Sequence, residues 1–117
     1  MTVSESASGM IAHAEGYRTN SHGIADSADS VLGQGIQTIE QIALSTQDSI
    51  GIVAGFLGTG HPSFPSLNGL ANETVSKSAA VQEAINVAIN KVMELSQSVS
   101  TYANTVIAVG ENIIRSN

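Results

Sequence analysis

Residues 71–109 read ANETVSKSAAVQEAINVAINKVMELSQSVSTYANTVIAV, a run without glycine or proline. Small and aliphatic side chains recur through it at alternating spacings of three and four. The series starts at Leu67 and continues Ala71, Thr74, Ser78, Val81, Ile85, Ala88, Val92, Leu95, Val99, Tyr102, Val106, Val109 and Ile113. This heptad places a narrow stripe on one side of a helix facing one neighbour, the pattern of a coiled-coil seam and not of a strand. It predicts a helix over about 67–115.

The same spacing appears upstream as Val3, Ala7, Met10, Ala14, Tyr17, Ser21, Ile24, Ala28, Val31 and Gly35. It then slips by one position and continues as Leu32, Ile36, Ile39, Ala43, Thr46, Ile50, Val53 and Leu57. A one-residue slip must be absorbed by over- or underwinding or by a break. Gly33 and Gly35 sit at the slip, and each weakens a helix by about 1 kcal/mol relative to alanine. The expectation is a first helix over about 3–57 with a kink or short interruption at 33–35.

Between the two stripes lies Gly58-Thr-Gly-His-Pro-Ser-Phe-Pro-Ser66. Gly58 follows the last periodic residue, where a capping glycine belongs. Pro62 and Pro65 stop continuation, and Ser66 or Asn68 is placed to cap the next helix. The fold class that follows is all-α. It is an antiparallel two-helix hairpin, an elongated coiled coil in one domain (1–117) with a turn at about 58–66. Ile50, Ile52, Val53, Phe56, Leu57, Phe64, Leu67 and Leu70 gather near the turn and read as a small core closing the loop, with a docking knob as the alternative.

Two helices of this size have surface but little interior, so association with further helices to complete a four-helix bundle is the energetic expectation. Several features single out a protein partner. Beside the second seam runs a broken stripe of Val75, Ile89, Met93, Ile107 and Ile114, which one hairpin seam does not cover. Gly9, Gly16 and Gly23 repeat every seven residues in the first helix, which either opens a bare groove to a neighbouring helix or weakens helicity there. These residues form the candidate partner interface.

Only 12% of the residues are charged and 3% aromatic. Glu73–Lys77 and Glu111–Arg115 are the obvious i,i+4 ion pairs. The remaining polar surface is Ser, Thr, Asn and Gln, as suits faces over which another protein packs. Net charge is -6, and Lys and Arg number four. That balance argues against a nucleic-acid partner and against electrostatic attachment to anionic lipid. Cysteine is absent, which removes disulfide and thiolate chemistry. The N-terminus carries an acid where a cleavable leader needs bases, and the longest apolar run is too short to span a bilayer of about 20 helical residues. The expected location is cytoplasmic, or secreted without a cleavable signal peptide, with no membrane span.

Nothing in the sequence supports catalysis, a cofactor or a metal. His13 and His22 fall on opposite sides of a helix, His61 is in the turn, and no His/Glu pair has ligand spacing. Asp26 and Asp29 form an acidic i,i+3 pair without a base or aromatic to shape a pocket. No serine sits in a nucleophile elbow. The glycines at 51–60 lack the lysine of a phosphate loop.

A cysteine-free, acidic helical hairpin of about this size, with Phe56-Leu57-Gly58 at the end of its first helix, resembles the WXG100 proteins of type VII secretion and the helical partners of LXG toxins. Phe56 and Gly58 stand where that family carries Trp-x-Gly. The chain departs from the family in lacking the tryptophan, in its length, and in having Val106 four residues after Tyr102 where the export pattern has an acid. The resemblance implies a non-catalytic role: pairing with itself or with the helical domain of a secreted effector, as a dimer or heterodimer, to support export. The departures imply that a partner supplies the signal. Type III needle and rod subunits, some of which turn at Pro-x-x-Pro as at Pro62 to Pro65, are a second resemblance and imply polymerisation. A cytosolic chaperone or adaptor that binds a client helix is a third reading.

Overall fold

The computed structural model describes residues 2–117 and consists of two helices, α1 (Val3–Leu57) and α2 (Phe64–Ser116). They form an all-α hairpin. Thr2 and Glu5 start α1 with a reciprocal capping box: the Glu5 amide donates to Thr2 Oγ1 at 3.1 Å, and the Thr2 amide to Glu5 Oε2 at 3.4 Å. The signal for this cap, Thr-x-x-Glu ahead of a periodic run, stands in the first five residues.

The turn is tighter than its sequence suggested. Gly58 takes φ of 79°, and its amide donates to the Ala54 carbonyl at 2.9 Å, which ends α1 in the left-handed conformation that favours glycine. The His61 amide donates to the Gly58 carbonyl, and the Ser63 amide to His61 Nδ1 at 3.0 Å. The second helix opens at Phe64, ahead of the expected Ser66 or Asn68 cap. Pro65 is accommodated inside its first turn, where no intrahelical amide is required.

Helix α1 runs without interruption through Gly33 and Gly35. At the slip Leu32, Gly35 and Ile36 are half-buried while Val31 is exposed, so the downstream register already faces inward at Leu32. A straight helix drifts by about 20° per heptad against a 3.5-residue repeat, and such drift absorbs a slip without a break.

Two compact units share the helices. The first comprises residues up to Ser30 together with Ile89–Asn117, and the second is Val31–Ala88. In the first unit Arg18 Nη1 donates to Asn104 Oδ1 at 2.7 Å, and His22 Nε2 lies 3.1 Å from Ser100 Oγ, which fixes the antiparallel pairing. The Arg18 stem lies half-buried in the seam while its guanidinium reaches out.

The inward positions of that unit differ from the expected stripe in nearly half of their members. Helix α1 turns inward Ala7, Met10, Ile11, Ala14, Arg18, Ser21, Ala25 and Ala28. Helix α2 turns inward Ile89, Val92, Ser96, Val99, Ala103, Val106, Gly110 and Ile113. Every seventh residue of the α2 expectation is retained (Val92, Val99, Val106, Ile113). The alternate set of Leu95, Tyr102 and Val109 is replaced by Ser96, Ala103 and Gly110, each one position on. In α1, Tyr17 and Ile24 are likewise displaced outward in favour of Arg18 and Ala25.

Close approach is the reason. A Cβ added at Gly110 would lie 2.6 Å from Ile11 Cγ1 and 3.3 Å from Met10 Cε. Helices meeting across alanine and glycine gain dispersion contact that large side chains at the same positions would hold apart. Ala103 is 1% exposed, and the other buried positions are Ala7, Ala14, Ala25, Ser96 and Gly110.

The second unit closes on larger residues. Leu32, Ile36, Ile39, Ala43 and Ile50 face inward from α1, with Phe64, Leu67, Ala71, Thr74, Ser78, Gln82 and Ile85 from α2, all of them half-buried. Ile85 Cδ1 comes to 3.8 Å from where a Gly35 Cβ would be. Thr46, Val53 and Val81 lie outside this seam, and Gln47, Ala54 and Gln82 take their places. The small core expected at the tip forms only in part: Ile50, Phe64 and Leu67 are half-buried, whereas Ile52, Val53, Leu57 and Leu70 are exposed and Phe56 is 89% exposed.

Candidate functional site

The bulky residues displaced from the first unit's seam converge. Tyr17 and Ile24 of α1, and Leu95 and Tyr102 of α2, line one open groove of about 460 Å³ whose floor includes Val92, Ser96 and Val99. Leu95 is 65% and Tyr102 68% exposed. Val3 and Val109 are exposed in the same heptad rows. Because both rows repeat every seven residues, the face is a double stripe in the form a helix–helix interface takes. Tyr17 and Tyr102 line the same grooves, but they point out of the seam and not into it. Their rings supply large apolar area with a polar edge.

Hydroxyls beside the groove are bonded to their own helix. Ser98 and Thr105, which flank the Leu95–Tyr102 row, donate to the carbonyls of Glu94 and Thr101 at 3.1 Å each. Hydroxyls bonded to their own helix keep their partners when covered, so a second protein surface removes less from water than the composition suggests. The same back-bonding occurs at Thr38, Thr46, Ser49, Thr74 and Thr101. Ser96 is the exception: its Oγ is buried without a hydrogen-bond partner.

The expected interface residues are not brought together. Gly9, Gly16 and Gly23 are exposed, with nothing within 4 Å of an added Cβ, on the side of α1 turned away from α2. Ile89 belongs to the hairpin's own seam and is half-buried, because the inward set moved one position along α2. Ile107 is half-buried too. Met93 and Ile114 are exposed in the helical row that also holds Ser100, the partner of His22. Val75 lies in the second unit, exposed beside Leu44. The sequence reading missed the Tyr17, Ile24, Leu95 and Tyr102 face because it assigned these residues to the seam. The available signal was their size: the small residues one position on made the closer-packing choice.

Compared with protein-family models, curated proteins and solved structures, the chain matches none.

Charged and titratable side chains take simple roles. Glu73 pairs with Lys77 at 3.0 Å as expected, whereas Arg115 turns from Glu111 to donate to Asn112 Oδ1 at 2.6 Å. Lys91 pairs with Glu94 at 3.5 Å. His13 packs edge-on to Tyr17, with ring centroids 6.4 Å apart. Among the described residues no group of three or more His, Asp or Glu is placed to hold a metal ion. None of the described helices is long and apolar enough to cross a membrane.

Proposed function

We propose that the chain is a non-catalytic helix-pairing protein: a half-bundle whose first unit is completed by another helical surface, serving the export of a protein by a type VII-like route. The observation that carries the pairing is the outward double row of Tyr17, Ile24, Leu95 and Tyr102 over a seam built from alanine and glycine. Exposed apolar rows on a soluble surface mark interaction sites, and these have the spacing of a helical interface. The export setting rests on the likeness to WXG100 hairpins, which Phe56-Leu57-Gly58 and the capping geometry of Gly58 support. The histidines support a non-catalytic reading, since His22 bridges the helices, His61 holds the turn and His13 packs on a tyrosine.

The test is made in the source cell with a Leu95→Glu, Tyr102→Glu variant. The expected result is that the natural chain is recovered in a complex of defined mass, and that the variant is lost from it. Loss of export, of this chain or of its companion, should accompany loss of the complex. A variant that enters the same complex and leaves export unchanged contradicts the proposal. A natural chain that stays inside while its companion leaves identifies it as the retained adaptor.

A further inference from the structure

We propose that the tip of the hairpin, where α1 ends and α2 begins, inserts into the apolar layer of one leaflet of a lipid bilayer. The site lies wholly in the second unit and does not depend on the pairing reading above. Three features of the tip carry it.

The first is where charge stops. No Asp, Glu, Lys or Arg occurs from Ser49 to Asn72. The charges that bound this segment, Asp48 on α1 and Glu73 on α2, fall at one level of the helix pair. Gln47, next to Asp48, lines a groove with Val75, and Thr46 lines one with Thr74, next to Glu73. The uncharged tip therefore ends at a rim made of Asp48 and the Glu73–Lys77 ion pair. From Asp48 to the end of α1 at Leu57 is about 13 Å at 1.5 Å per residue. That depth fits within half of a hydrocarbon layer of roughly 30 Å, enough to enter a leaflet and too little to cross.

The second is the distribution of apolar side chains around α1. Ile50 and Ala54 are the half-buried positions that face α2. Ile52 and Phe56 are exposed on the opposite side, and Val53 and Leu57 are exposed about 100° round from them. Gly51 and Gly55 fill the remaining flank without any polar side chain. A docked helix needs one apolar stripe, whereas a helix apolar all round is enclosed by a protein core or by membrane. Leu70 adds an exposed side chain from α2. The tip thus matches a medium that surrounds it, not a partner on one side.

The third is the backbone, which must satisfy itself where water is excluded. In the turn the amides of Gly58, His61 and Phe64 donate to the carbonyls of Ala54, Gly58 and His61. The Ser63 amide donates to His61 Nδ1, and Pro62 and Pro65 have no amide to satisfy. The Ser49 hydroxyl is bonded to the Ser45 carbonyl. Insertion driven by apolar burial also agrees with the net charge of -6, since acids at the rim gain nothing from anionic headgroups.

The experiment uses the purified full chain and large unilamellar phosphatidylcholine vesicles, with binding read by flotation. The chain has no tryptophan, so Phe56→Trp supplies a single fluorescent reporter at the tip. The expected result is that the chain floats with the vesicles in low and high salt. Emission of the Phe56→Trp variant should shift to the blue and be quenched by lipids brominated on their acyl chains. Ile52→Ser with Phe56→Ser should weaken vesicle affinity by about a hundredfold with the helical circular dichroism retained. Leu44→Ser, at an exposed apolar position of α1 beyond the rim, should bind as the natural chain does. A chain that stays in the aqueous phase overturns the inference, as does an emission unmoved by vesicles or an equal loss from Leu44→Ser. Tip variants that float normally but lose a bound protein in the source cell make the tip a protein-docking knob, and overturn it too. None of these failures touches the pairing reading, which Leu95→Glu with Tyr102→Glu tests in the other unit.

Discussion

The two units of this hairpin solve the same packing problem differently. In the first, α1 and α2 meet across Ala7, Ala14, Ala25, Ser96, Ala103 and Gly110, all six of them buried. In the second, from Val31 to Ala88, no residue is fully buried, and the seam consists of half-buried Leu32, Ile36, Ile39, Phe64, Leu67 and Ile85. Small residues let backbones approach and seal the line between them, which turns the large residues of the neighbouring heptad position outward. Large residues in the seam use their own bulk between the helices and leave the line partly open to water. The tight unit thereby gains an apolar outer face, with Leu95 and Tyr102 on it. Tight closure and outward display are one event.

The largest expected effect separates the two seams directly. Ala103→Asp places a carboxylate where the side chain is 1% exposed. An isolated buried charge is destabilising by several kcal/mol, comparable with the whole stability of a small domain. Ala71→Asp, half-exposed in the second unit, leaves its carboxylate in reach of water and should lower the melting temperature by a fraction of that amount. Equal losses for the two variants, read by thermal denaturation, would erase the distinction drawn between the seams.

Glycine substitutions come next. Gly16→Ala enters open space and should stabilise by up to about 1 kcal/mol through helix propensity. Gly110→Ala gains the same propensity but drives a methyl to 2.6 Å from Ile11 Cγ1. The net change there should be a loss of about 1–2 kcal/mol, within the range for overpacking. Opposite signs in chemical denaturation sharpen the picture; matching gains would mean that the first seam is looser than its geometry.

The smallest effect concerns Ser96, whose buried hydroxyl has no partner. Removing an unsatisfied buried group while keeping its volume should be neutral or stabilising by about 1 kcal/mol. Ser96→Ala that loses stability would show that the hydroxyl is bonded.

Much of this architecture was legible in the residues. The alternating three-four spacing marked both helices, and Gly58 with the two prolines marked the turn, because periodicity and capping are local properties. What escaped was the choice between Leu95 and Ser96, or Tyr102 and Ala103, as the inward residue. Hydrophobicity favours the larger member of each pair and close approach favours the smaller, and that contest is decided by what the opposite helix presents. Helix α1 presents alanines there. The same misassignment put Ile89 on an outer stripe and hid the Tyr17–Tyr102 face, so the candidate site was the least legible part of the chain. At the tip, the clustering of Phe56, Phe64 and Leu70 read as a core, but the short turn from Gly58 to Ser63 leaves Phe56 no opposing surface.

The central claim is that α2 faces inward at Ser96 and outward at Leu95. The most direct test is the far-ultraviolet circular dichroism and melting temperature of Leu95→Glu beside Ser96→Glu, in dilute solution. The account predicts that Leu95→Glu keeps the helical signal and the melting temperature of the dilute natural chain, while Ser96→Glu loses both. A stable Ser96→Glu with a collapsed Leu95→Glu would contradict it and restore Leu95 to the seam.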